Sequence, residues 1–219
     1  MTDPVSPEQK ILAAARSEFI EFGLRGARTQ AIADRCGVNK ALLHYYFRSK
    51  DRLYEAVLQD IARTMRCAME VQLEEGSPDE DIRSLFRRII ATYIGTLQHN
   101  PDIARFMFRE IAEGGEHLPG LIARIAPSVY GIPEHIGRRL AAEVKAGTIR
   151  EVPGIHLLLN IVGMCVFTFV ARPIIAEVSR QFTMQITFDD SFYRDRIESI
   201  VDMVMQGITT DPNRNRGKK

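Results

Sequence analysis

Gln30, Lys40, Ala41, Leu42, His44, Tyr45, Tyr46 and Lys50 fall within one short stretch, TQAIADRCGVNKALLHYYFRSK. Together they carry amide, ammonium, imidazole and phenol hydrogen-bonding groups beside small apolar side chains. Neither this stretch nor the rest of the chain offers a nucleophile, base and orienting group at workable spacing, a phosphate loop, or a metal-ligand cluster. The set suits recognition. Donors and methyls side by side on one helix match the acceptors and thymine methyls that line a DNA major groove. The charge agrees: from 25 to 50 the bases are Arg25, Arg28, Arg35, Lys40, Arg48 and Lys50 against Asp34 alone, a local +5 in a chain whose net charge is +1.

Short helices must hold these groups. Thr29 is read as the N-cap of a helix ending near Gly37, and Asn39 as the cap of a second helix reaching Phe47. Between them CGVN supplies a glycine able to take the positive φ of a tight turn, so the spacing is that of a helix-turn-helix. Leu43 and Phe47 are expected in a small core with Ile32, Val38 and a preceding helix. Ala41, Leu42 and Tyr45 then point outward, with His44 and Tyr46 on the flanks and Lys40 in the first turn. The preceding helix starts at Pro7 after Ser6, carries Ile11, Leu12, Ala15, Phe19 and Phe22, and stops at Gly23. Ser49 caps a long helix whose Leu53, Val57, Ile61, Met65 and Met69 form one stripe until GSP breaks the chain near 75.

The rest of the 219-residue chain also reads as helical, over 79–99, 101–114, 118–147 with breaks at Pro127 and Pro133, 153–178 and 189–207. The segment 182–188 alternates like a strand but has no partner and is read as a connecting loop. Hydrophobic content of 45% and charged content of 26% fit a globular protein. Cys36, Cys67 and Cys165 stand far apart with no paired spacing, which fits a reducing cytoplasm without disulfides or a thiolate metal site. No signal peptide is indicated. Ile155 to Ala171 is almost wholly apolar but shorter than the ~20 residues of a membrane span, so a buried helix is expected and no membrane contact.

The run RTQAIADRCGVNKALLHYYFRSKDRLYEAV resembles the N-terminal segment of the TetR family of bacterial transcriptional regulators, whose pattern has a threonine, IA, GV, a short recognition helix ending YYF, and SK opening a long fourth helix. The resemblance covers about fifty N-terminal residues; beyond them only the helical character and the length agree. It implies that Gln30, Lys40, Ala41, Leu42 and His44 approach base edges, and that Thr29, Tyr45, Tyr46 and Lys50 hold phosphates. Tyrosine is commoner in the family at His44, and glycine or a small polar residue at Ala41 and Leu42, so no base preference carries over. Each residue also has a plainer role: Thr29 as a cap, Tyr46 as packing against the first helix, Lys40 and Lys50 as surface charges.

The resulting expectation is an all-α protein with a three-helix DNA-binding domain at 1–50, a larger helical ligand-binding and dimerisation domain at 51–210, and a basic tail at 211–219. It is a DNA-binding transcriptional regulator, a repressor relieved by a small-molecule effector, and neither an enzyme nor dependent on a cofactor or metal. Alternatives from other classes are a helical enzyme with a basic N-terminal motif and an architectural DNA-binding protein without a ligand. Phe106, Arg109 and Glu110, with His156, Asn160 and Met164 sharing one helix face with Phe167, are the candidate ligand contacts; plain core is the other reading of that stripe. Arg109 would serve an anionic effector and Asn160 a neutral one. Glu113 and His117 are four apart, but Gly114 and Gly115 intervene and argue against a metal. Helices 153–178 and 189–207 are expected to pair two copies, the latter through Phe192, Ile197, Ile200, Val201, Val204 and Met205, so that the homodimer reads an inverted repeat in a double-stranded operator.

Overall fold

The computed structural model describes residues 6–74, 80–129, 134–182 and 186–210. Among them the chain is all-α. Eleven helices follow in order: α1 (Pro7–Gly26), α2 (Thr29–Cys36), α3 (Lys40–Phe47), α4 (Lys50–Glu74), α5 (Ile82–His99), α6 (Pro101–Ala112), α7 (Leu118–Val129), α8 (Glu134–Ala146), α9 (Gly154–Val170), α10 (Arg172–Gln181) and α11 (Asp190–Ile208). They form two compact units, Met1–Arg66 with Asn100–Pro127, and Cys67–His99 with Ser128–Lys219.

In the first unit α1 packs on α2 and α6, and α2 on α3. Ser6 accepts the Gln9 N–H while the Gln9 side chain accepts the Ser6 N–H, a reciprocal box that satisfies two donors at the start of α1. Ile11, Ala15 and Phe19 of α1 are buried, as are Ile32, Ala33, Leu43, Phe47, Leu53 and Val57. Phe22, read from spacing as part of the α1 stripe, is exposed instead. The helix kinks directly after it, because Gly23 has φ 67 and ψ 176, and the chain then makes one more turn to Gly26. Only glycine occupies that backbone region comfortably, and a Cβ there would collide with the Glu113 carboxylate. Gly23→Ala is therefore expected to cost about 1–3 kcal/mol in urea unfolding, whereas Gly137→Ala, with open space around it inside α8, should be neutral or stabilising.

The second unit is built on α5, α9 and α11, with α10 packed on α9. Ile82, Phe86, Ile90, Ile94 and Leu97 bury one face of α5. Ile161, Cys165 and Phe169 of α9 and Tyr193, Ile200, Val201, Val204 and Ile208 of α11 complete the core, with Phe169 and Tyr193 stacked at 5.5 Å. Burial pushes the Cys165 thiol up to about 12, so it stays a neutral core side chain. Arg87 grips Glu198 with two hydrogen bonds of 2.6 and 2.9 Å, and Arg83 pairs with Asp202, lacing α5 to α11 along the outside.

Several helix boundaries differ from those read in the sequence. α5 begins at Ile82, where the Asp81 carboxylate accepts the Ser84 N–H. α7 runs through Pro127 to Val129; Pro133 and the tail at 211–219 lie outside the described residues. The single helix expected over 153–178 is two, bent by 55° at Ala171, because Pro173 has no N–H and its ring obstructs the preceding turn. Of 182–188, residues 186–188 have no regular structure, and the only strand-like pairing among the described residues is the isolated bridge between Ile149 and Thr209. No single helix among the described residues is long and apolar enough to cross a membrane. α9 is buried on one side only: Ile155, Leu159 and Phe167, four or eight residues apart, stand exposed in a row.

Candidate DNA interface and ligand cavity

The turn between α2 and α3 has the expected chemistry. Gly37 takes φ 70 and ψ 26 at the end of α2, and the Asn39 side chain accepts the Leu42 N–H at 2.7 Å to start α3. Leu43 and Phe47 face inward. Lys40, Ala41, His44, Tyr45 and Tyr46 are exposed and Leu42 is half-buried. Tyr45 is 66% exposed although it is a large aromatic; its one ring contact among the described residues, edge-on at 5.5 Å, is Tyr46, itself flanked by Phe47. Gln30 is also exposed on α2, donating to Asp34 at 2.8 Å. Apart from half-buried Leu42, these side chains of α2 and α3 are turned to solvent.

Four details were not foreseen. Thr29 is the first helical residue of α2 and not its cap: Arg28 occupies the capping position, and its N–H is satisfied from another helix, by the buried Glu18 carboxylate of α1 at 3.2 Å. The same Glu18, with Glu21, holds Arg35 at 3.3 Å, so part of the local +5 is neutralised from α1. Lys50 donates to the Arg25 and Ala27 carbonyls at 3.1 and 3.2 Å, which fastens the end of α1 to the start of α4. The α3–α4 connection is two residues, Arg48 and Ser49. Arg48 has φ 61 and ψ −42, and the Ser49 N–H reaches back to the Phe47 carbonyl at 2.6 Å, a strained γ-turn. Ser49 then caps α4 through the Arg52 N–H at 3.1 Å. Positive φ at a non-glycine residue has no signature in the sequence.

The six residues read as ligand contacts divide between the two units, Phe106, Arg109 and Glu110 in the first and His156, Asn160 and Met164 in the second. Phe106 is core, with its ring 5.3 Å from Tyr54. Arg109 donates to the Ile20 and Glu21 carbonyls at 3.2 and 3.0 Å and pairs with Glu113, so it caps α1 just before the kink. Glu110, 3% exposed, accepts from the Tyr54 hydroxyl and from the His117 N–H at 3.0 Å, and lies 2.9 Å from the His117 ring. Glu113 and His117 are thus committed to protein partners. His156 and Asn160 are exposed and Met164 half-buried, on the open face of α9. The cavity lies on the opposite face of that helix. It measures about 230 Å³ and is lined by Phe86, Tyr93, Leu140, Leu157, Ile161 and Ile208 among others, all within the second unit. Periodicity could not choose between the faces, because α9 is apolar on nearly every side.

The model of the family described as "Bacterial regulatory proteins, tetR family" matches residues 11–57, which span α1 to the first turns of α4. The chain is 30% identical over 168 residues to the HTH-type transcriptional repressor SCO4008 of Streptomyces coelicolor, covering 74% of this chain and 78% of that one. It is 26% identical over 205 residues to the HTH-type transcriptional regulator RutR of Escherichia coli, covering 93% and 92%. Among solved structures, the TetR family transcriptional regulator PfmR of Thermus thermophilus superposes with a TM-score of 0.65 at 18% identity, covering 95% of this chain and 100% of that one. A TetR family regulator of Marinobacter aquaeolei superposes at 0.63 and 20%, covering 93% and 96%. With a helix-turn-helix whose outer face is free and a relative this similar over most of both lengths, the chain belongs to the tetR family of bacterial regulatory proteins and is a DNA-binding regulator of transcription.

Proposed function

We propose that the protein is a homodimeric repressor that reads an inverted repeat through α2 and α3 and leaves it when a small molecule occupies the cavity of the second unit. One observation carries the DNA reading: α3 buries Leu43 and Phe47 and leaves Lys40, Ala41, His44 and Tyr45 exposed to solvent. Gln30, Lys40, Ala41, Leu42 and His44 approach base edges in this reading, and Thr29, Tyr45, Tyr46 and Lys50 phosphates. Lys50 keeps one N–H free of its two carbonyl acceptors. Such a regulator works where its DNA is, in the cytoplasm.

The effector site is reassigned from the six residues above to the cavity beside Leu157 and Ile161, whose emptiness of side chains an architectural DNA-binding protein would not need. α4 supplies a mechanical link: the helix that begins at Lys50 also carries Met69, a residue of the cavity wall. Ligand and DNA bias the same element, so each must weaken the other by the same factor, typically about 1–3 kcal/mol.

Footprinting on the DNA flanking the protein's own gene tests the reading, followed by variants on the protected site. Lys40→Ala and His44→Ala are expected to cost about 1–3 kcal/mol each on that site and much less on random duplex. Lys50→Ala should weaken both alike and lower the salt slope by roughly one unit. Equal losses on specific and random DNA for Lys40→Ala and His44→Ala would remove them from base reading.

A further inference from the structure

The cavity in the second unit is chemically one-sided. Of the residues that line it, Arg150 alone is charged and Tyr93 alone carries a polar side-chain group; the remainder are aliphatic, aromatic or glycine. No carboxylate among the described residues lines it. Tyr93 makes no hydrogen bond within the protein among the described residues, and burial pushes its phenol well above the usual range, so it stays protonated and can donate.

Arg150 stands at the mouth, since it lines the cavity and is also solvent-exposed. It is not a loose surface charge. Its backbone N–H donates to the Ile208 carbonyl at 2.7 Å and its Nε to the Gly207 carbonyl at 2.6 Å, while Thr210 bonds back to Thr148, so the 147–150 turn and the end of α11 hold the guanidinium in place. Its two terminal nitrogens have no acidic partner among the described residues. Glu151, the next residue, does not line the cavity and forms no ion pair with Arg150, and Glu143 on α8 is engaged with the Thr148 hydroxyl. The start of α9 adds to this field: Gly154 lines the cavity, and the preceding Pro153 provides no side-chain cap, so the positive end of a 17-residue helix lies at the same rim. Among the described residues the cavity's polar side chains, Arg150 and Tyr93, can both donate to a guest, and the one charge lining it is positive.

Resting on the reading of this cavity as the effector site, we propose that its ligand is an organic monoanion with an apolar body, such as a carboxylate on an aliphatic chain or ring. The body fills the space between Phe86, Leu157 and Ile161, and the carboxylate meets the terminal nitrogens of Arg150. Fixing the guanidinium by Nε leaves the paired face that a carboxylate engages with two parallel bonds. Tyr93 donates a further hydrogen bond to an acceptor on the body where the ligand has one. Arg109, which the sequence offered for an anion, is spent on α1 carbonyls and plays no part.

Calorimetric titration of the full-length protein with octanoate, octan-1-ol and octyltrimethylammonium tests this, because the three share a body and differ in charge. Octanoate is expected to bind at least about tenfold tighter than the alcohol, and the cation more weakly than either. Arg150→Gln should abolish that preference while octan-1-ol still binds, with the melting temperature lowered only by the loss of the Nε bond to the Gly207 carbonyl. Equal affinity for octanoate and octan-1-ol, or a preference that survives Arg150→Gln, overturns the anion proposal and leaves the cavity as a site for neutral ligands. If Ile161→Trp, which fills the cavity, changes the affinity of none of the three, the cavity is not the ligand site and the broader reading falls with it.

Discussion

Replacing Glu110 by alanine is expected to lower stability at neutral pH by about 2–4 kcal/mol, more than any other single polar truncation in the first unit. The carboxylate is the common acceptor of three groups on different segments: the Tyr54 hydroxyl of α4, and the backbone N–H and ring of His117 ahead of α7. Tyr54 is 4% exposed and its ring packs edge-on to Phe19 at 4.8 Å, so its hydroxyl loses its acceptor in largely apolar surroundings. The loss is thus a desolvated donor inside an aromatic cluster, added to a lost hydrogen bond. Burial pushes the Glu110 carboxyl up, but the bonds from Tyr54 and His117 more than reverse it, and its pKa stands below the ordinary 4.5. A depressed folded-state value means that this stabilisation is complete above the ordinary carboxylate range and is lost as pH falls through the lowered pKa. Glu110→Gln, which preserves the shape, should therefore lose less than Glu110→Ala at pH 7, and its deficit against the native chain should shrink on acidification. Urea midpoints measured from neutral pH into acid decide the matter; a Gln deficit that stays constant throughout would show that the charge contributes nothing.

Glu110 also marks where sequence reading stopped. Its partners lie 56 and 7 residues away, and a glutamate on a helix carries no sign of a tyrosine that distant. What periodicity and local chemistry encode was legible: the α4 stripe Leu53, Val57, Ile61, Met65 and Met69 is buried throughout, and Asn39, Gly37 and Ser49 cap and turn the chain as their types dictate. Failures came where a local rule met a tertiary partner. Thr29 has the composition of a cap, yet Glu18 from α1 satisfies the start of α2, and that salt bridge equally explains why Arg35 is less available than a charge count implies. In α11 the expected pairing residues Ile200, Val201 and Val204 are buried within their own chain, leaving Met203 as the exposed large apolar side chain of that helix. A helix that is apolar on one face can spend that face only once, and α5 had already taken it. In α9 the opposite problem arose: with apolar residues all round, the faces are indistinguishable until a neighbour covers one of them.

The uncovered face of α9 leads to the second large effect. Leu159 and Phe167 are 59% and 65% exposed, with Ile155 below them on the same line and Met203 of α11, a helix that packs against α9, also exposed. His156 and Asn160 border this row, which gives the polar groups of the helix a position at the rim of an interface. If two copies pair across this face about a twofold axis, each substitution is felt twice. Burying a Leu or Phe side chain contributes about 1.5–3 kcal/mol, so Leu159→Asp with Phe167→Asp removes four such contributions and is expected to weaken dimerisation by at least a thousandfold, on the order of 4 kcal/mol or more. The folded chain should scarcely notice, because neither side chain is buried within it: helical content and melting of the isolated monomer are expected to stay near those of the native chain. DNA binding should notice greatly, since an inverted repeat is held tightly only when both half-sites are engaged together. Sedimentation velocity at micromolar concentration, run beside operator titrations, separates the cases. A variant that sediments as a monomer and binds a half-site as the native chain does, but no longer favours the full site, places the pairing surface on α9. A variant that remains a dimer with full operator affinity moves that surface elsewhere on the molecule.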